Sequence, residues 1–261
     1  MATLEQLAGV TIAAAVGAAA NSWAGGGTLL TFPALVGLGV PPITANATST
    51  VALMAGGVSS MLGYREALAP ARRWARALVL PSVAGGLVGA WLLTVTPARR
   101  FAALVPWLVV GATLLFMLQG PLGRQLGRRA AAAPDDPLAV LPPPSVGVRV
   151  ALFAISIYGG YFGAGAGIVQ LAVYGLVGLR NVHQMNGLKN FAANCFNLVA
   201  ALLFAVTGVI DWPLAGAMAV GATVGGHVAA RAAQRVDARV VRASVVAVGL
   251  ASAAWLFGQG R

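Results

Sequence analysis

The sequence predicts an all-α polytopic membrane protein made of two inverted four-segment repeats. Three observations carry that expectation. Of 261 residues, 59% are hydrophobic and only 9% charged, against about a quarter charged in an average soluble domain. Apolar runs of about 20 residues, the length that crosses a bilayer, alternate with short basic stretches. The chain also matches itself when displaced by 140 residues, which sets Gly25 on Gly165, Gly27 on Gly167, Asn46 on Asn186, Gly85 and Gly86 on Gly225 and Gly226, and Arg99 on Arg239. One register for all of these, without a gap, predicts a duplication of the kind that builds many secondary transporters.

Eight hydrophobic segments fall at about 6–39, 44–64, 77–96, 101–119, 146–179, 184–210, 213–233 and 243–258. The first four make one repeat within 1–119 and the last four make the other within 146–261. Between them, 120–145 holds Arg124, Arg128, Arg129, Asp135, Asp136 and three consecutive prolines, which reads as a solvated linker. No cleaved leader is expected, since the N-terminus carries Glu5 and no Lys or Arg.

Segments one and five are long and interrupted by glycine near their middles: Gly25, Gly26 and Gly27, then Gly163, Gly165 and Gly167. Charge decides how they run. If all eight segments cross, the 17 Lys and Arg divide nine to eight between the two faces. If segments one and five are broken or re-entrant hairpins, only Arg99, Arg100 and Arg261 share a face and the other fourteen share the opposite one. The second division obeys the positive-inside rule. It places both termini outside an inner membrane and the linker in the cytoplasm. One hairpin and three crossings per unit is an odd number, so the second unit starts on the opposite face and is inverted.

The net charge of +11 follows from this topology and does not indicate nucleic acid. One cysteine, Cys195, permits no intrachain disulfide and no Cys metal site. His183 and His227 are too few to argue for a metal, and no cofactor motif survives inspection: neither Gly-rich stretch is followed by Gly-Lys-Ser/Thr or completes a dinucleotide fingerprint. An enzyme would need a nucleophile, base or metal that the apolar segments do not supply.

The polar residues inside those segments are the candidate site. A half-helix start aims free N–H groups at an anion, so Asn21, Ser22, Gly25, Gly26, Gly27 and Thr28, with Tyr161, Gly163, Gly165, Gly167 and Gln170, read as two substrate-facing tips; close helix packing is the alternative reading of the glycines. In segment six, Asn186, Lys189, Asn190, Asn194 and Asn197 recur at spacings of three and four, on one face of an apolar helix. A membrane-buried Lys costs about 2.5 to 3.5 kcal/mol and calls for a partner. All six acidic residues fall at loops or ends, which leaves an anionic substrate as that partner, or else a Lys189 that snorkels to the interface. Asn46, Thr48 and Ser49 occupy the matching position in segment two, as oxyanion ligands or as helix caps.

These features resemble the TauE/SafE sulfite-exporter family, also called the 4-toluene sulfonate uptake permease family. The resemblance is carried by the stretch from Trp23 to Pro33, by Ala45 to Ser49, by Gly187 to Asn190, by Asn197, and by Gly208 to Pro213 followed by Gly225 and Gly226. It covers about 20–257. Val173 and Ala166 depart from the family pattern, which predicts a softer break in the second hairpin. The resemblance implies passage of sulfite, thiosulfate or organosulfonates through the inner membrane with no chemistry on them. The expected partners are a small anionic substrate and the lipid bilayer, and a homo-oligomer is compatible with the pattern. A non-transporting membrane subunit, or a carrier of another small oxyanion or a carboxylate, is the alternative.

Overall fold

The first apolar segment folds as two helices, α1 (Leu4–Ala24) and α2 (Thr28–Gly37). The structure is a computed structural model that describes residues 3–24, 26–63, 65–131, 143–179, 181–232 and 238–259. Segment two is α3 (Pro42–Gly63), opened by proline at the one helical position where its missing N–H does no harm. A single turn, α4 (Arg65–Leu68), leads to α5 (Arg72–Val95) and α6 (Ala98–Ala131). Segment five is again two helices, α7 (Val146–Tyr161) and α8 (Ala166–Leu176). The rest is α9 (Val182–Thr207), α10 (Trp212–Ala232) and α11 (Ala238–Gln259). Asn181 caps α9 by accepting from His183 and Gln184 N–H, and Gly208, at φ 71°, ends it in the left-handed conformation that glycine permits.

Helix directions show that segment one doubles back. Gly221 lies against Thr11 and Gly225 against Ala15, so α10 and α1 run the same way. Thr48 bonds the N–H of Asp211 just before α10, and Gly56 lies against Ala222 further along it, so α3 runs that way too. Two successive segments with one direction need a return between them. α2 supplies it, with Gly27 packed on Gly17 and Asn21, and Thr31 beside Gly17.

The two breaks differ in kind. In the second, Gly163 and Gly165 sit at φ 80° and 81°, and Tyr158 Oη donates to Ala164 O at 2.6 Å across the turn. These two left-handed residues flank Ala164 and precede Ala166, which opens α8 with no special angle. In the first, Gly26 packs under the Phe116 ring and a Cβ on Gly27 would stand 2.6 Å from Gly17 O. There the described glycines serve close approach, and Gly25 lies outside the described residues. α6 continues to Ala131, into the stretch that the sequence reads as linker. Its Arg, Gln, Leu and Ala are strong helix formers and outweigh the glycines. Residues 132–142 lie outside the described residues.

Packing follows the 140-residue register. Gly86 presses on Phe196 where Gly226 presses on Gly56, and Gly85 meets the 153–157 stretch of α7 where Gly225 meets Ala15 of α1. α1 packs on α10 as α7 does on α5, α3 packs on α10 as α9 does on α5, and α3 with α9 and α6 with α11 join the halves. One apolar core gathers around Phe32, Phe101, Phe116 and Phe204, and a second around Trp74, Leu78, Leu152 and Leu188. The outer surface is apolar as well: Leu80, Trp107, Leu202, Val206 and Val220 are all well exposed. A bilayer is the solvent that suits such a surface. Among the described residues, Arg72–Val95, Ala98–Leu118 and His183–Thr207 are long and apolar enough to cross one.

Candidate functional site

Lys189 sits two turns into α9 and is 2% exposed. Its Nζ donates to Asn21 O at 3.2 Å and Ser22 O at 3.4 Å. Those carbonyls belong to the last turn of α1, where the helix dipole places partial negative charge of about half a unit. Snorkelling is therefore not what happens, and the protein partner that no carboxylate could supply is a helix C-terminus. An ammonium carries three donors. Two are engaged, which leaves one for the cavity that Lys189 lines.

The first half makes the matching contact with an uncharged group. Asn46 Nδ2 donates to Tyr161 O, the last residue of α7, at 3.0 Å. Each hairpin thus has the carbonyl end of its first arm held by a donor from the other half. An amide does this at one hairpin and a cation at the other, so the positive charge of the site is one-sided.

Between the hairpins lies a cavity of about 30 Å³, room for one or two waters. Of the residues singled out in the sequence, Asn21, Thr28, Gly163, Gly167, Lys189, Asn190 and Asn197 line it. Asn190 is 5% exposed and its Nδ2 has no hydrogen-bond partner. With Lys189 it places donors, and no carboxylate, at one point between the two tips.

The other expected residues are placed elsewhere. Thr48 Oγ1 accepts from Asp211 N–H at 3.0 Å, and Asp211 in turn caps α10 by accepting from Leu214 N–H. Ser49 Oγ shares a 2.5 Å hydrogen bond with Thr31. Both hydroxyls have structural partners and neither lines the cavity. The residue from α3 that does is Thr50, whose Oγ1 donates back to Asn46 O at 2.9 Å. Tyr161 offers its carbonyl to Asn46 and packs its ring edge-on against Phe101. Gly26 and Gly27 are buried in helix contacts, and Gly165 faces Ala112 and Leu115 of α6. Ser22, Gln170 and Asn186 are buried away from the cavity lining, and Asn194 Oδ1 lies over Gly57. The apolar walls, Leu53, Phe162 and Phe196, carry no sequence signal apart from proximity to the motifs.

The Thr48 contact has a measurable consequence. Thr48→Val keeps the shape but leaves the partly buried Asp211 N–H unpaired, at a cost of about 1 to 3 kcal/mol. Thermal unfolding in detergent is expected to move down by several degrees while flux through the cavity persists. Lost flux with unchanged stability would return Thr48 to the site.

The sulfite exporter TauE/SafE family matches residues 10–256. A Sinorhizobium protein named "Probable membrane transporter protein ORF9" is 27% identical over 95% of this chain and 90% of its own length. A Haemophilus influenzae "Probable membrane transporter protein" is 27% identical over 91% of this chain and 89% of its own. Escherichia coli K12 "Probable membrane transporter protein YfcA" is 27% identical over 90% and 84%. No solved structure matches the chain. With a match from end to end of the helical bundle, this chain belongs to the TauE/SafE sulfite exporter family of membrane transporters.

Proposed function

We propose that the protein carries small sulfur-containing oxyanions, with sulfite, thiosulfate and organosulfonates as the candidates, through the inner membrane without altering them. The observation that supports this most is the buried Lys189 ammonium and the unpartnered Asn190 amide facing one small cavity between two helix breaks. The α1 carbonyls offset only part of the ammonium charge, and the buried polar residues among those described include no Asp or Glu. The site is net positive and suits an anion. Re-entrant hairpins in inverted halves, with termini outside and the linker inside, fit the reversal of α2 and the fourteen-to-three division of basic residues.

A cavity of this size takes water-sized groups. Sulfite and thiosulfate, with four and five heavy atoms, require the tips to part, as alternating access would provide. Flux of sulfite and thiosulfate into proteoliposomes is the direct test. Asn190→Asp is the sharpest variant, because its carboxylate would neutralise Lys189 from within the cavity. Flux is expected to fall at least about a hundredfold, from the lost attraction plus a new repulsion. Parental flux in that variant would refute an anion held at Lys189. Uptake of a carboxylate or a sulfur-free oxyanion in place of sulfite would retain the site and change the substrate.

A further inference from the structure

The bundle around the second hairpin contains polar atoms that the cavity does not use. Gln170 is 0% exposed, and neither Oε1 nor Nε2 has a hydrogen-bond partner. It stands one helical turn beyond Ala166 and Gly167, which line the cavity. A further turn along α8 is Tyr174, also fully buried, with its hydroxyl unpartnered. Folded proteins leave few buried polar groups unpaired, and an amide with both ends orphaned asks for a reason.

The location supplies one. Tyr174 packs edge-on against Trp74, with ring centroids 6.2 Å apart. Trp74 is the third residue of α5, so this ring pair marks the level where α5 begins and α8 ends. Arg72, Arg73 and Arg76, in the same first turns of α5, are exposed. From surface to cavity the order is therefore arginines, ring pair, orphaned amide, ammonium. The register-matched positions, around the first hairpin, are Trp212, Pro213 and Gly216 for the arginines, Leu214 and Ala34 for the rings, and Leu30 for the amide. None of these six side chains is polar or charged apart from the indole N–H of Trp212.

We propose that the cavity opens to the Arg-bearing face through the second-hairpin bundle, with Gln170 lining the passage and the Trp74–Tyr174 ring pair closing it. Water or an anion in the open passage hydrates the amide and the phenol that the closed form leaves unpaired. The arginines form a positive mouth, which concentrates anions and repels cations. The inference rests on the proposed anion transport only for the sign of what passes.

Cys195 is the single cysteine, so Cys195→Ala gives a background into which Gln170→Cys can be placed. Sulfonatoethyl and trimethylammonioethyl methanethiosulfonates, applied to vesicles of each orientation, then report access and charge preference. Modification is expected from the Arg-bearing face, about tenfold faster for the anionic reagent. Arg72→Gln, Arg73→Gln and Arg76→Gln together should bring that ratio toward one. Trp74→Leu, which installs the residue type of the register-matched Leu214, should speed modification roughly two- to tenfold by removing an aromatic pair; Tyr174→Ala should act in the same direction. No modification from that face, or a rate indifferent to both ring variants, overturns the route and its gate. A ratio of one in the parent overturns the role of the arginines. None of these readings uses transport, so absent sulfite flux with this labelling pattern intact would refute the proposed substrate and leave the passage standing.

Discussion

Lys189→Gln is expected to abolish anion flux while leaving the protein folded. The choice of Gln follows from the two halves: Asn46 holds the Tyr161 carbonyl with an amide, so a Gln amide, with two donors, can hold Asn21 O and Ser22 O in place of the ammonium. What it cannot supply is charge. At a separation near 4 Å and an effective dielectric constant near 20, an ammonium and a monoanion attract by about 4 kcal/mol, which corresponds to roughly a thousandfold in affinity. Lys189→Met should lose the same affinity and, in addition, destabilise the first hairpin by about 1 to 3 kcal/mol, because two buried carbonyls lose their donor. Measured together, flux and thermal unfolding separate the two jobs of this residue. If Lys189→Gln transports at the parental rate, the ammonium is only a structural cap and the positive site is an error.

That residue also shows how far the sequence could be followed. Its apolar surroundings, its asparagine neighbours and its helix were legible from spacing, because side-chain periodicity is written in residue types. Its partners were not. They are backbone carbonyls 168 and 167 residues away, and a carbonyl exists at every position, so no residue type announces it. The same limit explains Thr48 and Thr50. Two positions along a helix turn the side chain by about 200°, which decides whether a hydroxyl meets the α10 start or the cavity. Composition alone places Thr, Ser and Thr together and cannot choose among them. The helix breaks were legible as glycine clusters, but the reason for each glycine was not. The second cluster supplies left-handed angles and the described part of the first supplies room, a distinction set by tertiary neighbours. The end of α6 is hidden for the opposite reason: in 120–131 charge and glycine resemble linker signals, while intrinsic helix propensity carries the helix to Ala131.

Gly86→Val is expected to disrupt both assembly and the site, far more than Gly226→Val at the matching position. A Cβ on Gly86 would stand 2.6 Å from Phe196 Cα and 2.7 Å from Phe196 O. Backbone cannot rotate aside as a side chain can, so α5 and α9 must part by roughly an ångström, with overpacking costs of about 1 to 3 kcal/mol for the first added carbon and more for the rest. On Gly226 the nearest atom would be Gly56 O at 2.9 Å, and the next contacts lie at 3.3 and 3.4 Å, which a small tilt relieves. Membrane helices associate largely through such close small-residue contacts, so the stability loss has no hydrophobic reserve to offset it. The position matters for function as well, since Phe196 and Asn197 both line the cavity and Lys189 lies two turns back on the same helix. Moving α9 away from α5 therefore moves the ammonium relative to the α1 carbonyls. Size-exclusion profiles in detergent and flux per folded molecule check this separately. Gly86→Ala should retain part of the folded population with reduced flux, and equal behaviour of the alanine variants at 86 and 226 would show that the α5–α9 contact does not set the position of the site.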